Sequence, residues 1–139
     1  MTVQDPNVVA TAGAESAASS NPRAGQVGLT VRQAGAGATV VGVSGEIDML
    51  TAPQLRAEVL RHLAAGTTLV LDLSGVSFLG SAGLAVLVEA AQHGKRRDAA
   101  FRVVAVARAV TRPLAATGLG EVFSVFESVE QALGADEAR

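Results

Sequence analysis

Leu69-Val70-Leu71-Asp72-Leu73-Ser74-Gly75-Val76-Ser77-Phe78-Leu79-Gly80-Ser81-Ala82-Gly83-Leu84-Ala85-Val86 decides how this chain folds. Thr67 to Leu73 is nearly all apolar, as a strand covered on both faces is. Ala82 to about Gly94 carries Leu84, Leu87, Val88 and Ala91 at helical spacing, and Val86 and Ala90 widen the apolar stripe. Ser81 therefore falls where a strand hands over to a helix. Serine suits that place, because its hydroxyl can accept a bond from an otherwise unpaired helix N–H. The helix start also concentrates positive partial charge and tolerates a phosphate. A hydroxyl there is either a plain cap or a modification switch.

Upstream, Val27 to Gln33 alternates apolar and other residues as a half-buried strand does, Ala34 to Ala38 reads as a hairpin turn, and Thr39 to Glu46 is a second strand. Thr51-Ala52-Pro53-Gln54 opens a helix: a cap hydroxyl, a first-turn proline, and a Gln placed to close a capping box. Ala52, Leu55, Val59 and Leu63 supply its apolar stripe, and Gly66 stops it. Downstream, Lys95-Arg96-Arg97-Asp98 is expected as a charged surface turn rather than a nucleic-acid patch. Ala100 to Ala105 is a fourth strand, Ala109 to Thr117 a short helix ended by Gly118, and Val122 to Phe126 a short fifth strand. Ser128-Val129-Glu130-Gln131 is a second capping box, opening a last helix through Leu133. Alternating strands and helices in this order predict one α/β domain, a mixed sheet of four to five strands with about four helices. Residues 1–26, rich in Ala, Ser, Gly, Asn and Pro, are expected as a disordered tail. Residues 27–134 form the domain and 135–139 a loose C-terminal tail.

The bulk numbers narrow the function classes. The chain has 139 residues, 49% hydrophobic and 17% charged, with a net charge of −2, so it can build a core and has no basic excess for nucleic acid. It contains no cysteine, which removes disulfides and thiolate metal sites. No signal-peptide pattern and no run of ~20 apolar residues occur, so a cytoplasmic protein is expected, with no membrane contact.

Chemistry of the common catalytic kinds is not indicated. Leu79-Gly80-Ser81-Ala82-Gly83 lacks the first glycine of a hydrolase nucleophile elbow. The two histidines, His62 and His93, fall on polar, helix-like stretches and not far downstream, where that fold places its base. There is no phosphate-binding G-x-x-x-x-G-K-[ST] loop. Glu46 and Asp48, two apart at a strand end, are either a polar strand-to-helix loop or a functional acid pair. No catalytic residue, metal or cofactor is expected, and the chain is not read as an enzyme.

Gly45-Glu46-Ile47-Asp48-Met49-Leu50-Thr51-Ala52-Pro53, then Leu71 to Leu84, then Thr117-Gly118-Leu119-Gly120-Glu121-Val122-Phe123 resemble, in order and spacing, the STAS-domain anti-sigma factor antagonists. The resemblance covers about Val27 to Leu133 and implies a STAS-like fold. It implies a passive protein that binds an anti-sigma factor, itself a serine kinase, and so frees a sigma factor. Phosphorylation of one serine switches binding off, and a serine phosphatase restores it. Ser81 matches that phosphoacceptor, and Asp48 matches the acid that helps engage the kinase. The implied partner-binding residues are Glu46, Asp48, Thr51, Gly80, Ser81, Ala82, Gly83 and Leu84. Two positions depart from the family pattern: its aspartate before the serine is Gly80 here, and its second hydroxyl is Ala82. Other expectations open to a domain of this kind are a non-switching scaffold subunit of a stress-signalling or transport complex, or a nucleotide-binding module.

Overall fold

The computed structural model describes residues 26–35 and 37–135, and everything below concerns those residues. Five strands form one sheet in the order β1-β2-β3-β4-β5: Val27–Gln33, Ala38–Ile47, Thr68–Leu79, Ala100–Val104 and Ser124–Phe126. β1 pairs antiparallel with β2, and every later pairing is parallel. Four helices complete the fold: α1, Ala52–Arg61; α2, Ser81–Arg97; α3, Arg108–Thr117; and α4, Val129–Leu133. A short 3-10 turn, Leu119–Glu121, precedes β5. The expected mixed α/β architecture is the observed one. The proposed tails 1–26 and 135–139 lie outside the described residues except for Gln26 and Ala135.

Alternation along the strands sends side chains to two cores. Val41, Leu69, Leu71 and Val103 join Leu55, Val59, Leu87 and Val110 of α1, α2 and α3 on one face. Val40, Val70 and Val104 turn to the other face, under Ala132 of the short α4. Both faces of the central strands are thus covered, as the nearly all-apolar stretch Leu69 to Leu73 of β3 predicts. Arg102 shares that second face, is buried, and donates from Nη1 to the Ala132 carbonyl at 2.8 Å, tying α4 down.

Several boundaries differ from the sequence expectation, each for a physical reason. β3 does not stop at Leu73 but runs twelve residues to Leu79. It does so through two register shifts against β2, between Gly42 and Ser44 and between Gly45 and Glu46. Each places an extra β3 residue in the ladder, as a β-bulge does. The buried positions of β3 therefore become Leu73, Val76 and Leu79, three apart instead of two. The bulges are chemically satisfied: the Ser74 N–H donates to Asp72 Oδ1 at 3.0 Å and the Ser77 hydroxyl to the Gly45 carbonyl at 3.3 Å. Gly45 itself has φ +96°, a conformation glycine takes at little cost.

Lys95, Arg96 and Arg97 form the last turn of α2 instead of a surface turn. Three cations at a helix C-terminus are favoured by the helix dipole. The helix ends at Asp98, in the left-handed region with φ 58°. α1 ends at Arg61, before Gly66, and β4 ends at Val104 rather than Ala105. At α4 the capping expectation is met in a variant form: Ser128 Oγ accepts from the Gln131 N–H at 3.1 Å, while Gln131 Oε1 accepts from the Glu127 N–H at 3.1 Å.

Candidate functional site

β2 and β3 run parallel, and Glu46 faces Phe78 and Ile47 faces Leu79 across the ladder. The loop leaving β2 (Asp48 to Thr51) and the turn leaving β3 (Gly80) consequently emerge side by side at the C-terminal edge of the sheet. The Gly80 N–H donates to the Ile47 carbonyl at 2.9 Å and joins the two. Ends of adjacent parallel strands are where α/β sheets most often carry their sites.

The β2 loop is fastened by side chains. Asp48 Oδ1 accepts from the Leu50 N–H at 2.9 Å and the Thr51 N–H at 3.1 Å. The Thr51 hydroxyl donates to the Glu46 carbonyl at 2.8 Å and accepts from the Asp48 N–H at 2.9 Å. Thr51 precedes α1, but its side chain does not cap it, and no capping box forms with Gln54. Asp48 takes over the N–H groups at the helix entry, and Thr51, 4% exposed, is drawn inward to hold the loop together.

The β3 turn is fastened by packing. Gly80, not Ser81, is the residue that precedes α2, and Ser81 is the first helical residue. The serine is therefore not the cap residue: it stands exposed one position inside the helix, after Gly80. The backbone closes the turn instead, with the Gly83 and Leu84 N–H groups donating to the Gly80 carbonyl at 3.0 and 3.1 Å. Gly83 lets α2 come close to the sheet, since a Cβ there would lie 2.5 Å from Ile47 Cγ2 and 2.6 Å from Leu79 Cδ1.

Of the residues singled out in the sequence, Glu46, Asp48, Gly80, Ser81, Ala82 and Leu84 are at least partly accessible on this edge, and Thr51 and Gly83 are buried beneath it. The last two shape the face rather than line it. Sequence reasoning missed three residues of the same face. Met49 and Leu50 are each 80% exposed and Phe78 is 51% exposed, all large apolar side chains. The available signal was an apolar pair lodged in a two-acid loop.

The two helices that start at this edge are clamped further along. Arg56 of α1 donates bidentately to Glu89 of α2, Nε to Oε1 at 2.7 Å and Nη2 to Oε2 at 2.6 Å. That hydrogen bond holds the Glu89 carboxyl below its ordinary range and raises the Arg56 guanidinium. His93 lies twelve residues along α2 from Ser81, about 18 Å by helical rise. His62, whose Nε2 is 3.1 Å from Glu58 Oε2, follows the far end of α1. Among the described residues no group of three or more His, Asp or Glu is placed to hold a metal ion.

Comparison with known proteins agrees with this geometry. The STAS domain family model matches residues 30–132. The anti-sigma-F factor antagonist RsfB of Mycobacterium tuberculosis is 38% identical over 98 residues, covering 70% of this chain and 80% of that protein. RsfA of the same organism, also an anti-sigma-F factor antagonist, is 36% identical over 101 residues, covering 70% of this chain and 79% of its own length. The crystal structure of an anti-sigma factor antagonist from Mycobacterium paratuberculosis superposes with a TM-score of 0.75 at 37% identity, covering 82% of this chain and 97% of that one.

Proposed function

This chain belongs to the STAS domain family, and from that premise we propose that it is an anti-sigma factor antagonist whose binding is switched off by phosphorylation of Ser81. It acts by binding, not by turnover. Its partner is an anti-sigma factor of the serine-kinase class, which on binding releases a sigma factor, and a serine phosphatase resets the cycle. The docking face is the sheet edge of Glu46, Asp48 and Gly80 to Leu84, with Thr51 and Gly83 supporting it from below. The acting unit is residues 27–134, flanked by tails at 1–26 and 135–139. We place it in the cytoplasm, where sigma factors work. No helix among the described residues is long and apolar enough to cross a membrane.

One observation carries this reading: the Ser81 hydroxyl is exposed and free of structural duty at the start of a seventeen-residue helix. A phosphate adds about −1.5 to −2 charges at neutral pH. Within the domain, the helix start accommodates that charge. Against a docked partner, the same group must be desolvated, which costs several kcal/mol unless it is paired. Since ~1.4 kcal/mol is tenfold in affinity, one modification changes binding by orders of magnitude without refolding the protein.

The test is incubation with the cognate anti-sigma kinase and ATP, followed by mass spectrometry and calorimetry. One phosphate should be found, on Ser81. Ser81→Ala should take up none and still bind the kinase. Ser81→Glu should bind at least about tenfold more weakly with an unchanged circular dichroism spectrum. If Ser81 stays unmodified and Ser81→Glu binds like the parent, the switch is absent and the chain is a constitutive binder or a scaffold.

A further inference from the structure

Charge is divided unevenly across the docking face. Glu46 and Asp48 put two carboxylates on the β2 side. On the β3–α2 side no charged residue occurs from Leu73 through Val88. Arg56, the first cation of α1, is already engaged by Glu89 through both of its hydrogen bonds. What the β3–α2 side offers instead is apolar. Phe78 stands half exposed at its centre, with Met49 and Leu50 exposed on the neighbouring loop.

Residue 80 is the pivot of this arrangement. Its φ of −91° is open to any residue, so the backbone does not require glycine. The Phe78 ring lies over it, and a Cβ there would be 3.1 Å from Phe78 Cε2. A carboxylate at position 80, the residue that the family pattern carries, would stand beside this ring and next to the Ser81 hydroxyl.

We infer that this face selects an anti-sigma factor whose counter-surface opposite Phe78 and Gly80 is apolar and uncharged, so that phosphate on Ser81 is the sole negative charge this side can present. The inference rests on the antagonist reading above and names the partner chemistry of the same site. Its consequence runs against the resemblance. Restoring the family acid should not improve docking but impair it, because an apolar counter-surface leaves a buried carboxylate unpaired. In the free protein the same change should stabilise, because aspartate is a favoured residue at the position preceding a helix. Binding and stability should therefore move in opposite directions.

The experiment is calorimetric titration of the full chain with the purified kinase that phosphorylates Ser81, alongside thermal melting of each variant. Gly80→Asp should bind at least about tenfold more weakly than Gly80→Asn, its neutral isostere, which carries the same bulk against Phe78. Gly80→Asp should melt at or above the parent temperature. Gly80→Asp binding as tightly as the parent, or more tightly, would place a cation opposite and overturn the inference while leaving the antagonist reading intact. An equal loss in Gly80→Asn and Gly80→Asp would trace the effect to crowding against Phe78 and also overturn it. If the parent binds no anti-sigma kinase at all, the antagonist reading falls and the inference falls with it.

Discussion

The loop that leaves β2 and the turn that leaves β3 lie side by side, yet they are held by different forces. In the first, Asp48 and Thr51 spend their side chains on four backbone hydrogen bonds between 2.8 and 3.1 Å. In the second, no side chain bonds the helix start, and Gly83 brings α2 against Ile47 and Leu79 by having no side chain at all. The difference separates structure from function within one face. Where polar side chains build the loop, a chemical change to them disturbs the fold. Where packing builds it, a hydroxyl is left over with no bond at the helix start to give up. A phosphoswitch needs the second kind of neighbourhood.

The largest expected effect tests the packed half. In Gly83→Val the new branched side chain must enter space held by Ile47, which is fully buried, and Leu79, 5% exposed. Overpacking of this kind costs about 3 kcal/mol. Chemical denaturation should show a matching loss of stability. A variant as stable as the parent would mean that α2 is not fixed by this contact, and the contrast between the halves would dissolve.

Next comes the hydrogen-bonded half. Thr51→Val keeps the shape but removes the hydroxyl that serves the Glu46 carbonyl and the Asp48 N–H. Two backbone groups beneath a 4% exposed residue then lose their partner. The expected cost is about 2 kcal/mol, read by the same denaturation experiment. A loss below about 0.5 kcal/mol, the ordinary surface range, would show that water replaces the hydroxyl and that the loop does not depend on it.

The contrast also marks what could be read in the sequence. Local signals were legible. β1 spans Val27–Gln33 as its alternation implies, α1 begins around Pro53, and Ser128 caps α4. Ser81 lies at the strand-to-helix junction that its neighbours predict. Signals that depend on a partner strand or helix were not legible. Ser74, Gly75 and Ser77 have turn-like composition, but pairing with β2 carries them into β3 through two bulges. Thr51 has the identity of a helix cap, but the Glu46 carbonyl lies within its reach and wins the hydroxyl. Ser81 too has a capping residue's identity, yet it sits one position inside the helix, where its hydroxyl has no such task. The apolar face of Met49, Leu50 and Phe78 escaped notice because exposure is decided by tertiary contacts. The charge gap from Leu73 through Val88 was present in plain sight, and it acquired meaning only once β3 and α2 were placed beside the β2 loop at one sheet edge.

The smallest expected effect is the most diagnostic. Removing a genuine capping side chain costs about 1 kcal/mol. Asp48→Ala should show that loss, because the Leu50 N–H loses its acceptor and the Thr51 N–H keeps only the Asp48 backbone carbonyl at 3.2 Å. Asp48→Asn should not, since the amide oxygen can accept the same two bonds. The Asn variant thus isolates the charge: any weakening of kinase binding reports docking and not folding. Ser81→Ala should be neutral within about 0.5 kcal/mol, the range of surface substitutions that break nothing. The serine and the aspartate stand on adjoining segments near the starts of their helices, and a rule based on residue identity would give them the same cost. Paired denaturation curves decide between identity and geometry. If Ser81→Ala falls by as much as Asp48→Ala, the hydroxyl does bond the helix start in solution, and phosphorylation would have to break that bond before it could act.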